Sequence, residues 1–586
     1  MPQRITTIVT SLALIGAIFA GVPSSARAVE PATKYVGIVG ADYTKALVGC
    51  RDLDVSISSG AAADASEGVS VASDEAGLGG TVYLCPGTYH FQTAAAMQNN
   101  DITLKGAGVT QTILDGGGIS RIIITGGNLS IESLTMENAY EPGFMDGAAV
   151  LAEGNVDVLN ATFANNYADK AGAAIAALGT VTVSGGTFNN NTSADQGGAI
   201  ASYSFVRVTD STFTNNSSIA DSECIGGGGA IAAGDDVYVD RSVFTRNSAV
   251  VGTDTDLNAC GSTGHYGGMG GAIGTAGLEF ITASTFTQNK ASLVGGAIFS
   301  ANIVPTRDIR AEITSSSFIG NDLLPLLGSW GYREGIGQAG SAVAASSNFP
   351  LLIESSTFSG NGHDGRADFE GISFSSCGSV YANVLEVNGS TFSANRSEAG
   401  GAICAGSLTM TDSVFTKNVA SLGAGAIYAE LISVQSSSFV KNVSGIGGAI
   451  YAYEGSIAGS TFKGNRARYG KRGTAWRTQT GFGGAVFAYS TITLTNNRFT
   501  GNRADRVGGA VYFQSDTATS LVLMKKNRFI ANSAGKAGGA VGYNLEDTAS
   551  LPMRSQIRKA LRANRFSGNV ATSGMSIGGL STPILL

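Results

Sequence analysis

The pattern Phe-x-x-Asn recurs along most of this chain, with Phe at 163, 188, 213, 244, 286, 318, 358, 392, 415, 439, 462, 499, 529 and 566. Between copies stands Gly-Gly-Ala-Ile or Gly-Gly-Ala-Val, beginning at Gly197, Gly228, Gly270, Gly295, Gly400, Gly447, Gly483, Gly508 and Gly538. Looser versions begin at Gly147, Gly172, Gly340, Cys377, Ala424 and Gly574. Where no insertion intervenes, the unit repeats every 23 to 25 residues, which is the signature of a solenoid.

The local pattern selects the kind of solenoid. Before each Phe runs a period-two stretch, such as Val181-Thr-Val183, Val206-Arg-Val208, Leu408-Thr-Met410 and Ile492-Thr-Leu494. That alternation is strand, not helix. Leucine-rich repeats share the period, but their Leu/Asn consensus is absent. Three short strands per turn, each stacked on its counterpart about 4.8 Å away, fit a unit of this length. The expected fold is therefore all-β, a single right-handed parallel β-helix. In such a coil each Phe points inward and stacks on the next. The Asn three residues on takes a corner, where tolerance of left-handed backbone and an amide-to-amide ladder both help. The glycine pair takes the following corner, where backbones approach too closely for a Cβ. Ile or Val then points inward again.

Composition agrees. Eighty-two Gly, 10 Pro and a charged fraction of 14% suit strands and tight turns, while a hydrophobic share of 43% is ample for a core. Net charge is −7 but uneven: residues 461–586 hold 18 Lys+Arg against 4 Asp+Glu, so that stretch carries +14 and the remainder −21. At the start, Arg4, an apolar run from Ile8 to Val22 and Ala26-Arg27-Ala28 read as a signal peptide over residues 1–28. No later segment is long and apolar enough to cross a bilayer, so the mature chain is expected to be secreted or held at the cell surface.

The six cysteines can then form bridges. Cys224 and Cys260 fall in the same corner of consecutive units and are expected to pair, as are Cys50 and Cys85 around the N-terminal cap. Cys377 takes a first-glycine position and Cys404 lies four residues further along the next unit. Four residues of strand span about 13 Å, so these two are expected to stay unpaired with each other.

The alternation of GGA[IV] and FxxN over residues 145–577 resembles the repeat of the polymorphic outer membrane proteins, autotransported surface proteins of adhesin type. GGTVYLCPGTYHF (79–91) and ITLKGAGVTQTILDGG (102–117) resemble the opening coils of the pectin-lyase-like superfamily. The resemblance implies a surface-displayed β-helix. In that surface family a membrane β-barrel follows the passenger, whereas here the chain reads STPILL nine residues after the last repeat and shows no LPxTG signal, so neither self-transport nor covalent wall attachment is expected.

β-helices also carry pectin lyases, polygalacturonases and esterases, so function must be argued from sites. The densest charged cluster is His363, Asp364, Arg366, Asp368 and Glu370, in an insertion whose GRADF is similar to the Gly-x-x-Asp-Phe element of pectin methylesterases, with Gln338 as a distant partner. The second catalytic Asp strand and the Gly-Arg-Pro-Trp stretch are missing, and a solvated loop explains the cluster equally. His90 and His265 stand apart from it. Neither metal set nor cofactor motif is present. The residue after each inward Ile or Val must point outward. That row reads Phe299, Tyr381, Tyr428, Tyr451, Phe487 and Tyr512, with Tyr453 and Tyr489 two residues further on. Flanked by Arg466, Arg468, Lys471, Arg472, Arg477, Arg503 and Arg506, these rings would suit an acidic polysaccharide or a cell-surface glycan, the bland alternative being a ladder that only stabilises the sheet. No motif points to nucleic acid.

The expectation is thus a cap over residues 29–79 and a β-helix over 80–586 of roughly 15 to 18 coils, about 70–85 Å at the stacking distance. Such a chain would be a monomeric adhesin-like scaffold that binds glycan through a repetitive face. The alternative is a polysaccharide-modifying enzyme.

Overall fold

The computed structural model describes residues 31–586 except 45, 61–62, 99–100, 144, 221–225, 252–266, 302–309, 325–337, 363–375, 471–479, 516–521, 546–558, 560–561, 573–576 and 580–586. The leader at 1–28 lies outside the described residues. The chain divides into two compact units, residues 1–280 and 281–586.

In the first unit, strand Thr33–Ile38 pairs in parallel with Val55–Ile57 and with Thr81–Leu84, so the cap shares a sheet with the opening coils. Helix Ser66–Ala76 belongs to this cap and buries Val69, Ala72 and Ala76. Its apolar residues recur at helical spacing, a signal that the strand-favouring composition of the whole chain hid. Asp64 begins the helix by accepting the Ser66 amide at 3.0 Å, and Cys50 and Cys85 are bridged with their Cα atoms 5.8 Å apart.

Beyond the cap, each coil has three faces. In one coil the first face is Ile200–Ser202 followed by Val206–Thr209, the second is Thr212–Thr214 and the third is Ser217–Ala220. All pair in parallel with the same face of the next coil, in unbroken register: Ile175, Ile200, Ile231 and Ile273 align, as do Val181, Val206 and Val237. Parallel strands joined by such crossovers wind right-handed. The phenylalanines behave as the period requires. Phe163, Phe188, Phe213 and Phe244 are fully buried, with successive ring centroids 4.6–4.9 Å apart. In the opening coils Tyr89, Leu114 and Met136 take the same position.

The second unit repeats this plan. There the two strands of the first face fuse into nine-residue strands, Val380–Asn388, Ile403–Thr411, Ile427–Gln435 and Ile450–Ala458. Its phenylalanine ladder runs from Phe286 to Phe566 in register, with rings 4.7–5.0 Å apart.

The corners show what the motif residues do. The Phe-x-x-Asn asparagines from Asn166 to Asn532 are buried, Asn569 is half-buried, and they link to those of neighbouring coils: Asn191 Nδ2 donates to Asn216 Oδ1 at 2.9 Å and to the Phe163 carbonyl at 3.0 Å. The left-handed backbone expected at this asparagine belongs instead to the residue before it, as at Asn190 (φ 54°) and Ala394 (φ 55°). A second buried ladder, unforeseen from the sequence, is formed by Ser two positions before Phe; the Ser356 amide donates to Ser390 Oγ and the Ser390 amide to Ser413 Oγ. Its signal was legible as the recurring Ser-x-Phe. The paired glycines have separate reasons. Gly228 is left-handed (φ +65°), and a Cβ on Gly229 would strike the Gly271 carbonyl oxygen in the next coil.

Candidate functional site

The outward row of the second unit is real as a register. Tyr381, Cys404, Tyr428, Tyr451, Phe487 and Tyr512 occupy one position in successive coils, and Phe299 aligns with Ala344 further up. Tyr428 and Tyr451 stack at 4.9 Å, Tyr451 and Phe487 at 4.9 Å, and Phe487 and Tyr512 at 5.3 Å.

Pointing away from the lumen does not make these rings accessible. Tyr381 is 38% exposed and Tyr428 and Tyr451 are half-buried, but Phe487 and Tyr512 retain only 4% and 2% of their surface. The cause is the residue before each first glycine. The left-handed glycine folds the backbone back on itself, so Ile446, Phe482, Val507 and Ala537 lie over the row as a ladder of their own. Phe482 covers Tyr512 at 4.7 Å, and the Arg506 guanidinium lies 4.6 Å from the centre of the Phe482 ring. This end of the row is a closed hydrophobic seam.

The same fold-back corrects the cysteine assignment. Cys377 stands before the left-handed Gly378 and Cys404 stands after Ile403 in the next coil, the positions that Phe482 and Tyr512 hold lower down. The two are bridged, with Cα atoms 5.7 Å apart. Counting strand rise across a corner that reverses direction overstated their separation. Cys224 and Cys260 lie outside the described residues.

The open part of the face is therefore Tyr381, Tyr428 and Tyr451 together with the second row, Tyr453 and Tyr489, both half-buried and 5.1 Å apart. Burial, reinforced by the neighbouring Tyr453 phenol, pushes the hydroxyls of Tyr428 and Tyr451 well above the usual phenol range, so both stay neutral donors. The basic flank is not assembled there. Arg466 and Arg503 rise from the short third face and both reach Asp505, at 3.1 and 3.4 Å. Arg506 is occupied over Phe482 and Tyr469. Lys471, Arg472 and Arg477 lie outside the described residues.

His363, Asp364, Arg366, Asp368 and Glu370 also lie outside the described residues, as does His265. Of Gln338, the backbone pairs with Ser376. His90 sits in an opening coil with Nδ1 3.2 Å from Asp115. Among the described residues no three His, Cys, Asp or Glu gather as a metal set, and no helix is long and apolar enough to cross a membrane.

One charged cluster was missed by sequence reasoning. In the first unit Arg121, 7% exposed, pairs with Glu141 at 3.2 Å and donates to the carbonyls of Gly147 and Asp146. Asp146 accepts the Ala171 amide and the Tyr203 hydroxyl; burial raises its pKa, against those donors and the nearby Arg121 and Lys170. The only sequence signal was an arginine heading the apolar run Arg121-Ile-Ile-Ile-Thr125. With Arg121 buried and Glu141 and Asp146 half-buried, this network ties together the corner at which the repeats begin.

The repeat of the Chlamydia polymorphic membrane proteins matches residues 185–203, 210–234 and 283–301, about a tenth of the chain. The chain thus carries repeats of that type on a parallel β-helix. A mannuronic acid specific polysaccharide family 6 lyase from human gut microbiota aligns over 84% of this chain and 86% of its own, at 12% identity and TM-score 0.30. The A-module of the Azotobacter vinelandii mannuronan C-5 epimerase AlgE4 aligns over 88% and 94%, at 12% identity and TM-score 0.18. Likeness at those values carries no argument about activity. No curated protein matches the sequence significantly.

Proposed function

We propose that this chain is an exported, adhesin-like β-helix that contacts glycan at a surface through the open tyrosines of the second unit. The carrying observation is that Tyr428, Tyr451, Tyr453 and Tyr489 hold one outer face at coil spacing, each ring partly accessible and each fixed by its neighbours. Rigid, flat, hydroxyl-bearing rings stack on the apolar faces of sugars with little entropy left to lose. The repeats of polymorphic membrane protein type support display at a surface, since that family is associated with the outer membrane. The rings closed beneath the seam, Phe487 and Tyr512, are assigned to stability.

The sharpest variant is Tyr453→Ala with Tyr489→Ala, because Tyr451 is stacked on both sides and its removal would loosen the sheet. Losing two stacking rings is expected to weaken retention on an immobilised cell-surface glycan by roughly tenfold. The melting temperature should hardly move. The column is run in 0.5 M salt, where attraction between exposed charges is screened. Unchanged retention removes the reading.

A further inference from the structure

Part of the positive charge of the C-terminal stretch forms a row on a different face of the second unit. On the phenylalanine strands, the residue before Phe points outward, and in most coils it is Thr, Ser or Val. In the last three coils it is Arg498, Arg528 and Arg565, in direct register on strands Arg498–Thr500, Arg528–Ile530 and Arg565–Ser567. All three side chains are exposed. Lys463 extends outward on the same face one coil above, and Lys525 and Lys526 stand at the corner that leads into Arg528.

Like charges set directly opposite on adjacent strands destabilise a sheet. Among the described residues, no carboxylate relieves them. Of the four carboxylates between residues 461 and 586, Asp505 is the one among the described residues, and it is held by Arg466 and Arg503 on the third face. No carboxylate among the described residues pairs with Arg498, Arg528 or Arg565. A single file of guanidiniums repeating at about 4.8 Å is complementary to a single-file polyanion lying along the stack.

We infer that this row binds a linear polyuronate, with one carboxylate per coil. A polymer carrying one carboxylate on each pyranose ring repeats its charge at one sugar length, close to the coil spacing. Each planar guanidinium can take a carboxylate bidentately. Single-stranded nucleic acid fits less well, because its sites pair cations with stacking aromatics, and the outward positions beside these arginines, Thr500, Ile530 and Ser567, are not aromatic. This row is on a different face from the tyrosines, so the failure of either reading leaves the other standing.

The test uses the full mature chain and galacturonate oligomers of two to six residues, with oligothymidylate and neutral dextran for comparison. Affinity for the galacturonates should rise steeply up to the length that meets three arginines and flatten beyond it. Arg498→Gln/Arg528→Gln/Arg565→Gln should lower affinity for the hexamer at least tenfold and reduce the salt slope by about two, as lost counterion release requires. A charge-matched control, Arg51→Gln/Arg241→Gln/Lys290→Gln, should bind as the parent does. Thr461→Arg, which is in register above Arg498, should strengthen binding and move the plateau out by one sugar. Equal loss in the control, no binding by the parent, tighter binding of oligothymidylate, or no effect of Thr461→Arg would each overturn the inference.

Discussion

Asn418→Leu is expected to destabilise the second unit by roughly 3–5 kcal/mol, although the two side chains have the same number and branching of heavy atoms. Asn418 is fully buried. Its Nδ2 donates to the Phe392 carbonyl and to Asn442 Oδ1, both at 3.0 Å, and its Oδ1 accepts the Asn395 amide and Asn395 Nδ2. Leucine leaves polar groups short of a partner in the two flanking coils, each costing about 1–3 kcal/mol where no water can reach. The outward Thr416→Ala, two residues away, should stay within about 0.5 kcal/mol. Urea unfolding followed by far-UV circular dichroism compares them. If both variants unfold alike, the asparagine ladder is ornamental and packing alone holds the corner.

Arg121→Met should cost a comparable amount, about 3–5 kcal/mol, because it leaves the half-buried Glu141 without its partner and strips a donor from two carbonyls. The contrast is Arg241→Met, which breaks an ion pair with Asp210 at 2.8 Å. Both partners of that pair are more than half exposed, so the expected loss is below about 1 kcal/mol. Arg241 has the better geometry, with two bonds to Asp210 and a second partner in Asp240, while Arg121 has the burial, so thermal melts of the two variants show which factor governs. Equal shifts would mean that the Arg121 network is solvated and does not fix the corner.

Burial of the phenylalanines and asparagines was legible because a solenoid imposes one solution on every coil, and a residue seen fourteen times in register reports on its own environment. The outer face was harder. Period-two alternation says on which side of the strand Tyr512 lies, but its burial depends on Phe482 and Val507, which reach it only because a left-handed glycine turns the chain back. The bridge between Cys377 and Cys404 was misjudged for the same reason: residue counting measures distance along a strand and fails across a reversal. The serine ladder was written in Ser-x-Phe but went unread, since a hydroxyl two positions before a buried ring gives no sign of burial until the corner between them is known. Helix Ser66–Ala76 was obscured by a composition dominated by the repeats. Arg121 could not be paired from sequence, because Glu141 and Asp146 meet it from the next coil.

All of this depends on successive Phe-x-x-Asn units lying directly over one another. Thr416, Val440 and Lys463 follow Phe415, Phe439 and Phe462 and are in register one coil apart. Cysteines at one-coil separation, about 4.8 Å, are within disulfide reach, and those two coils apart, about 9.6 Å, are not. On mild oxidation, measured by thiol titration and peptide mapping, Thr416→Cys/Val440→Cys should bridge and Thr416→Cys/Lys463→Cys should keep both thiols free. A bridge in the second protein, or none in the first, would contradict the stacking.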